Sequence, residues 1–197
     1  MSRRLISILA FLVLLAVPLT YNACSLADFR FAGDGGTQSA GSTGGNPMLP
    51  MSVAPFTPAR TYQACLDAID FRLFDGTIIP YPISAREITI SHAGTDLGQL
   101  DIPDGNYEKI YFYFRKNCAP SATLPAGASF IITNSNGTFG TAGDVRLAFY
   151  GTFTLPDPQD RSLVLGMDLI VNELESVTSN AEVQTKAQAQ GGSMVLQ

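Results

Sequence analysis

The sequence predicts an all-β fold, an antiparallel β-sandwich of about seven strands preceded by a signal peptide and a disordered linker. Between residues 62 and 178, apolar side chains recur at every second position, which is typical of strands that bury one face. Turn-forming groups such as Pro103-Asp104-Gly105-Asn106 separate these segments. The region shows no helical periodicity, so each one-sided strand needs a second sheet as cover. A closed barrel is the alternative arrangement.

Residues 1–23 have the pattern of an export signal. Met1-Ser2-Arg3-Arg4 gives a short basic start, and residues 5–17 form an uninterrupted apolar run. A helix that spans a bilayer needs about 20 apolar residues, so this run has the length of a signal-peptide core. We therefore expect an exported protein. An uncleaved membrane helix or a buried core helix is the alternative.

The end of this segment resembles a bacterial lipobox. In Tyr21-Asn22-Ala23-Cys24, a small residue precedes the cysteine that would carry the lipid. A lipid on Cys24 would anchor the protein to a membrane, which would then be its partner. The serine that follows Cys24 favours the outer membrane of the cell envelope. Ordinary cleavage after Ala27, at Ser25-Leu26-Ala27, is the alternative.

Residues 24–60 have the composition of a tether. Glycine, serine and threonine are interspersed between residues 33 and 45, and Pro50, Pro55 and Pro58 follow. Such a stretch has little apolar surface to offset its ordering entropy, so we expect it to be disordered. A coil of this length has a root-mean-square reach of about 30 Å.

The β-sandwich domain is predicted over residues 61–179. Its clearest strand is residues 145–155, where apolar side chains alternate with polar or small ones and Gly151 marks a bend. Shorter alternating segments are residues 69–73, 87–91, 109–115 and 163–171, and residues 130–132 form a short apolar run. In this pattern Asp70 and Asp168 lie on outward faces. Residues 180–197 are rich in alanine and glutamine and are expected to form a polar tail, either as a frayed helix or as a loose segment.

The three cysteines indicate whether a disulfide is expected in an oxidising compartment. If Cys24 is lipidated or removed, Cys65 and Cys118 remain as an even pair, which in an oxidising compartment predicts a disulfide. Cys65 opens the first strand of the domain, and Cys118 follows the strand at 109–115. Closing a loop of about 53 residues stabilises the fold by about 4 kcal/mol.

The region from residue 65 to residue 177 resembles an uncharacterised domain family of bacterial lipoproteins and exported proteins. The residues that carry the resemblance are Pro103, Gly105, Tyr107 and Ile110, which match that family's L-P-x-G-x-Y-x-x-I element. Asp104 stands where the family usually has alanine. The resemblance implies an all-β, sandwich-like exported domain, and it transfers no catalytic residue.

Charge and composition exclude several functions. Without residues 1–23, ten basic residues face 17 acidic ones, a formal charge of −7, so no basic surface for nucleic acid is expected. One histidine and three cysteines do not supply a multi-histidine metal centre or a zinc ribbon, and we expect no metal or other cofactor. His92 with Ser91 and Asp96 is a weak candidate triad, and the loop Asn134-Ser135-Asn136-Gly137 only partly resembles a calcium loop.

The candidate binding surface is a stripe of aromatic and basic residues. If Ile110, Phe112 and Phe114 face the core, the alternate residues lie together on the outer face; they are Tyr107, Lys109, Tyr111, Tyr113 and Arg115. Tyrosine rings with neighbouring cations suit glycan rings or anionic polymers. Cross-strand pairing that only stabilises the sheet is the alternative.

Together these observations predict a lipid-anchored protein of the cell envelope, with a non-catalytic β-sandwich that binds an unknown envelope ligand or protein or has a structural role at the surface. The alternative is a subunit of a surface fibre, similar to a pilus or adhesin, in which a sheet edge pairs with another chain. An envelope hydrolase is a third, weaker hypothesis, because only His92 and scattered carboxylates support it.

Overall fold

The structure is a computed structural model that describes residues 48–157 and 159–197. The predicted signal peptide, Cys24 and most of the predicted tether therefore lie outside the described residues. The described part is mostly β-strand, with two short helices near its end. In chain order its elements are β1 Met48–Val53, β2 Thr61–Leu73, β3 Ile78–Tyr81, β4 Arg86–Ser91, β5 Thr95–Asp101, β6 Gly105–Phe114, β7 Phe130–Asn134, β8 Gly137–Thr141, β9 Val145–Leu155, β10 Leu163–Gly166, α1 Asp168–Glu175, α2 Asn180–Ala187 and β11 Gly192–Leu196.

The strands form one curled mixed sheet in the order β5-β1-β10-β11-β9-β6-β2-β7-β8, and β3 and β4 also pair with β2. The prediction of an all-antiparallel sandwich of about seven strands is wrong in this detail. Two neighbouring pairs are parallel, β1 with β10 and β11 with β9. Strand β11 enters the sheet between β10 and β9, so it runs antiparallel to β10 and parallel to β9, whereas β1 and β10 are parallel neighbours from distant parts of the chain.

The sheet curls because the two halves of the long strand β2 pair with different sets of strands. Its first half pairs with β4 and β7, and its second half pairs with β3 and β6, with an irregularity in register between Leu66 and Ala68. A bulge of this kind bends a strand and increases its twist. The curl brings β4 beside β5, where the Arg86 guanidinium donates to the Leu97 carbonyl at 3.1 Å.

The predicted strand at residues 163–171 is half right. Leu163 and Leu165 alternate inward in β10, but the strand ends at Gly166, and Asp168 begins helix α1 instead of facing outward from a strand. A carboxylate in the first turn of a helix is stabilised by the helix dipole. The helix buries Ile170, Val171 and Leu174, which lie on one helical face.

Two segments predicted to lie outside the β-sandwich domain contribute strands to the sheet. The tether prediction is wrong for residues 48–60, because β1 alternates with Leu49, Met51 and Val53 buried between β5 and β10. For residues 180–197 the expectation of a loose tail is wrong and that of a helix holds only for the first half, because these residues form α2 and the central strand β11. Glycine permits this position of β11, since a Cβ on Gly192 would lie 2.5 Å from the Gly166 carbonyl oxygen.

The inner face of the curled sheet is a closely packed apolar core. Side chains from six strands surround an apolar cavity of about 10 Å³, which has room for about one water molecule. The predicted disulfide between Cys65 and Cys118 is present, with a Cα–Cα distance of 5.7 Å. It joins the middle of β2 to the segment that follows β6, and Cys65 is fully buried.

Candidate functional site

The predicted aromatic and basic stripe lies on the outer face of β6. Ile110, Phe112 and Phe114 are buried in the core, as the alternation predicts. The residues between them, Tyr111 and Tyr113, are half-buried and lie on the opposite face of the strand, in line with Lys109 and Arg115. The alternation along β6 therefore places four of the five predicted residues on one surface.

Strand β9 adds two residues that the sequence reasoning missed. In the antiparallel register Tyr150 lies opposite Lys109, and Arg146 lies opposite Tyr113. Both occupy outward positions of the alternating segment at 145–155, and this alternation was the signal that could have found them. We call the combined surface the tyrosine face; its residues are Lys109, Tyr111, Tyr113, Arg115, Arg146 and Tyr150.

Each tyrosine ring of this face has a cation packed against it. The Lys109 Nζ is 5.0 Å from the centre of the Tyr150 ring. The guanidinium carbon of Arg146 is 5.2 Å from the Tyr111 ring, and that of Arg115 is 5.3 Å from the Tyr113 ring. These distances are in the range of cation–π attraction, so each pair holds its ring and its cation in place on the sheet.

Carboxylates at the border of the tyrosine face balance part of its positive charge. The Arg115 guanidinium lies 2.8 Å from a carboxylate oxygen of Asp67 and 3.3 Å from one of Asp144. The hydrogen bond to Asp67 raises the pKa of Arg115. Burial raises the pKa of the Tyr113 hydroxyl, and the neighbouring Asp70 raises it further. The face therefore combines the neutral Tyr113 phenol with charged groups of both signs.

Tyr107 does not belong to this surface, and the prediction that it lies on the outer face is wrong. It is fully buried, and its ring stacks on Phe153 with 4.8 Å between the ring centres. The physical reason is a bulge, because the pairing of β6 with β9 shifts between Tyr107 and Lys109. Across this interval β9 has one residue more than β6, so the alternation of β6 shifts and Tyr107 turns inward opposite Phe153.

The buried Tyr107 stabilises the turn that precedes it. Its hydroxyl donates to the Pro103 carbonyl at 2.5 Å, and burial raises the pKa of this hydroxyl to about 12. Gly105 makes the close packing possible, since a Cβ there would lie 2.8 Å from a methyl group of Leu73. The Pro103-Asp104-Gly105-Asn106-Tyr107 element is thus a structural corner at the start of β6.

The weaker catalytic candidate is not assembled in the described residues. Ser91 Oγ accepts a hydrogen bond from the Ala93 amide, and Asp96 Oδ1 accepts one from the Gly98 amide. His92 is exposed at the turn after β4, where its backbone carbonyl accepts from the Phe56 amide. Ser91 and Asp96 therefore stabilise their own turns, and no hydrogen bond among the described residues joins either of them to the His92 imidazole.

The loop that partly resembles a calcium loop is a hairpin between β7 and β8. Its amide side chains face helix α1, where Asn134 Nδ2 donates to the Leu174 and Val177 carbonyls, each at 2.9 Å. Asn136 Nδ2 donates to the same Val177 carbonyl at 3.0 Å. The loop therefore caps the end of the helix with donors. Within residues 48–157 and 159–197 no three side chains of the ligand types His, Cys, Asp and Glu converge as a metal site would require.

The chain was compared with protein-family models, with curated proteins and with solved structures. No protein-family model, no curated protein and no solved structure matches it. In the described part of the chain, neither helix is long and apolar enough to cross a membrane.

Proposed function

We propose that the protein is a lipid-anchored component of the cell envelope and that its tyrosine face binds glycan chains without catalysing a reaction. The observation that carries this proposal is the row of cation-backed rings on the outer face of β6 and β9. The anchor in the proposal is a lipid on Cys24, at the end of the export signal. Residues 25–47 connect the anchor to the sheet.

The chemistry of the tyrosine face suits a sugar better than a purely anionic polymer. Sugar rings present C–H groups that pack on aromatic faces, while their hydroxyl groups need donors and acceptors nearby. Tyr111 and Tyr113 supply two such rings about 7 Å apart along one strand. Asp70 and Arg146 stand among the rings as hydrogen-bonding groups. Because carboxylates border the cations, the face lacks the uniform positive charge that a polyanion would need.

Preorganisation supports binding at this face. The rings are fixed by cross-strand neighbours, since Tyr111 lies opposite Asp70 on β2 and opposite Ala148 on β9. A ligand that stacks on them does not need to order flexible loops, which lowers the entropy cost of binding. The exposed fraction of Tyr150 is 48%, so much of its ring is open to solvent.

The alternative of a fibre subunit needs an open sheet edge, and two of the edge strands, β8 and β3, are poorly suited to it. Strand β8 is covered by α2, whose Asn180 side chain accepts a hydrogen bond from the Gly140 amide at 2.9 Å. Strand β3 has only four residues and contains Pro80, which lacks an amide donor. Short edges and prolines are the features that prevent edge-to-edge pairing.

The test is co-sedimentation with purified envelope glycan. We expect the double variant Tyr111→Ser/Tyr113→Ser to lose at least about tenfold in affinity, because stacking of two rings is removed. Ile78→Ser on the edge strand β3 is the matched control, since it removes an exposed apolar side chain away from the tyrosine face. Equal binding of the double variant and the wild type would refute the proposal, and so would equal losses in both variants.

A further inference from the structure

The cations of the tyrosine face fall into two groups. Arg115 lies close to two carboxylates, at 2.8 Å from Asp67 and 3.3 Å from Asp144. Lys109 and Arg146 form no salt bridge with a carboxylate of the described residues, and each packs against a tyrosine ring instead. Acidic residues outnumber basic ones by 17 to 12 in the chain, so carboxylates are not scarce. The positive charges of Lys109 and Arg146 are therefore available to an anionic group of a ligand.

Arg72 is the contrasting case on the neighbouring strand β2. In the antiparallel register it lies opposite Lys109, on the same outer surface of the sheet. Its Nε is 3.0 Å from a carboxylate oxygen of Glu108, so its charge is already balanced. The cations without a salt bridge thus lie on β6 and β9, where the tyrosine rings are, and not at the β2 border of the face.

Between Lys109 and Arg146 the surface has a low step. Ala148 is the outward residue of β9 between Arg146 and Tyr150, and its side chain is a single methyl group. Tyr111 lies opposite Ala148 on β6, with the Arg146 guanidinium carbon 5.2 Å from the centre of its ring. Successive outward residues of a strand are about 7 Å apart, so the step leaves room for a small group beside the Tyr111 ring. A carboxylate placed above Ala148 would lie between the two cations.

The acidic groups of the face are separated from this step. Asp70 lies in the same row as Ala148, but Tyr111 stands between them, since it pairs with Asp70 on one side and with Ala148 on the other. Two strand spacings are about 10 Å, which is close to the distance over which salt screens exposed charges. Asp144 forms an ion pair with Arg115 at the end of the face. Repulsion of an anion at the step is therefore weak.

We propose that the glycan bound by the tyrosine face contains acidic sugar units, and that Lys109 and Arg146 together bind the carboxylate of one such unit above Ala148. This inference rests on the proposed glycan binding and names the class of glycan. The Arg146 guanidinium offers two parallel donors that match a carboxylate, and the Lys109 ammonium group adds a further donor. The ring of the same sugar would stack on Tyr150, which is 48% exposed.

The distribution of charge favours acidic units that are separated by neutral ones. The face offers two available cations at one step, whereas the carboxylates at its border would repel anions further along the strands. Neutral sugars would instead pack on the rings of Tyr111 and Tyr113. A glycan in which every unit is charged, or in which none is, matches this surface less well.

The experiment is isothermal titration calorimetry of the full chain with solubilised envelope glycan in two forms. One form is native, and in the other the carboxylates are converted to amides, which keeps the size of the group and removes its charge. We expect the wild type to bind the native form about tenfold more tightly, because the amidated form lacks the partner of two charge-assisted contacts. This preference should shrink as salt is added, since exposed ion pairs are screened.

A pair of variants locates the contact. Lys109→Gln/Arg146→Gln should bind both forms with equal affinity. The matched control is Arg72→Gln/Lys186→Gln, which removes two cations that already have carboxylate partners, at 3.0 and 3.4 Å, and should keep the preference. Both variants have the same net charge. If Lys109 and Arg146 only held the rings in place, their loss would weaken binding of both forms and leave the preference unchanged.

Several results would overturn the inference. Equal affinity of the wild type for the two forms would show that no carboxylate is recognised; this comparison needs no variant, and binding that is lost in Tyr111→Ser/Tyr113→Ser would still support the proposed function. A preference that survives in Lys109→Gln/Arg146→Gln would place the carboxylate elsewhere, and one that is lost equally in the control would be an effect of net charge. Binding of neither form would refute the proposed function and this inference with it.

Discussion

Asn134→Ala tests how the helical segment is fixed to the sheet. Asn134 is 6% exposed and connects the end of β7 to the end of α1 through its two hydrogen bonds to the Leu174 and Val177 carbonyls. Its Oδ1 also accepts from the Asn136 amide at 2.8 Å, which shapes the hairpin turn. Removing the side chain deletes these three hydrogen bonds and a longer one from Nδ2 to the Glu175 carbonyl, at 3.5 Å.

The expected loss in the free energy of unfolding depends on which hydrogen bonds the two carbonyls retain in the variant. The Leu174 carbonyl still accepts from the Val177 amide, and the Val177 carbonyl still accepts from Asn136 Nδ2. Neither acceptor is left unpaired, so each lost bond contributes its net value of about 1 kcal/mol and the free energy of unfolding falls by about 2–3 kcal/mol. With a typical urea m-value, the unfolding midpoint should drop by about 1 M.

The assay is equilibrium unfolding in urea, followed by circular dichroism. Asn136→Ala is the matched control: its side chain is exposed and shares the Val177 carbonyl, so its loss should stay below about 1 kcal/mol. Equal midpoints for Asn134→Ala and the wild type, or a larger drop for the control, would refute the view that Asn134 holds the helix in place.

Three further changes have defined outcomes. Replacing both Cys65 and Cys118 by serine should lower the free energy of unfolding by about 4 kcal/mol, and an unchanged urea midpoint would contradict this. Gly151→Val should destabilise the fold strongly, because its Cβ would meet the Met194 carbonyl; thermal melting at the wild-type temperature would exclude the close contact. The bidentate bond from Arg161 lowers the pKa of Asp157 to about 2 from its model-peptide value of 3.8. Its stabilising effect is therefore complete above about pH 5 and is lost progressively as the pH falls to about 1, and urea midpoints of Asp157→Asn should lack this part of the acid dependence.

Strand alternation predicted the parts of the fold in which one face is buried. The segments that became β2, β6 and β9 were identified because their inward and outward residues differ in polarity. Helix α1 was missed because Leu163, Leu165 and Met167 continue the strand pattern up to its first residue. Leu169, which the pattern would bury, is 57% exposed on the helix.

The central position of β11 could not be read from its local sequence. Its core contact comes from Gly192 and Met194, and its place depends on Gly151 and Gly166 in strands far away along the chain. Such packing between distant glycines leaves no periodic signal. In the same way, the bulge that turns Tyr107 inward arises from pairing with β9, whereas the outward side of Tyr111 and Tyr113 followed from alternation alone.

The most direct test of glycan binding is a nuclear magnetic resonance titration of the full chain, labelled on its tyrosine rings, with solubilised envelope glycan. The account predicts saturable shifts for the rings of Tyr111, Tyr113 and Tyr150. The buried rings of Tyr62, Tyr81 and Tyr107 are internal controls and should not move. An absence of shifts at the tyrosine face, or equal shifts at buried and exposed rings, would contradict the account.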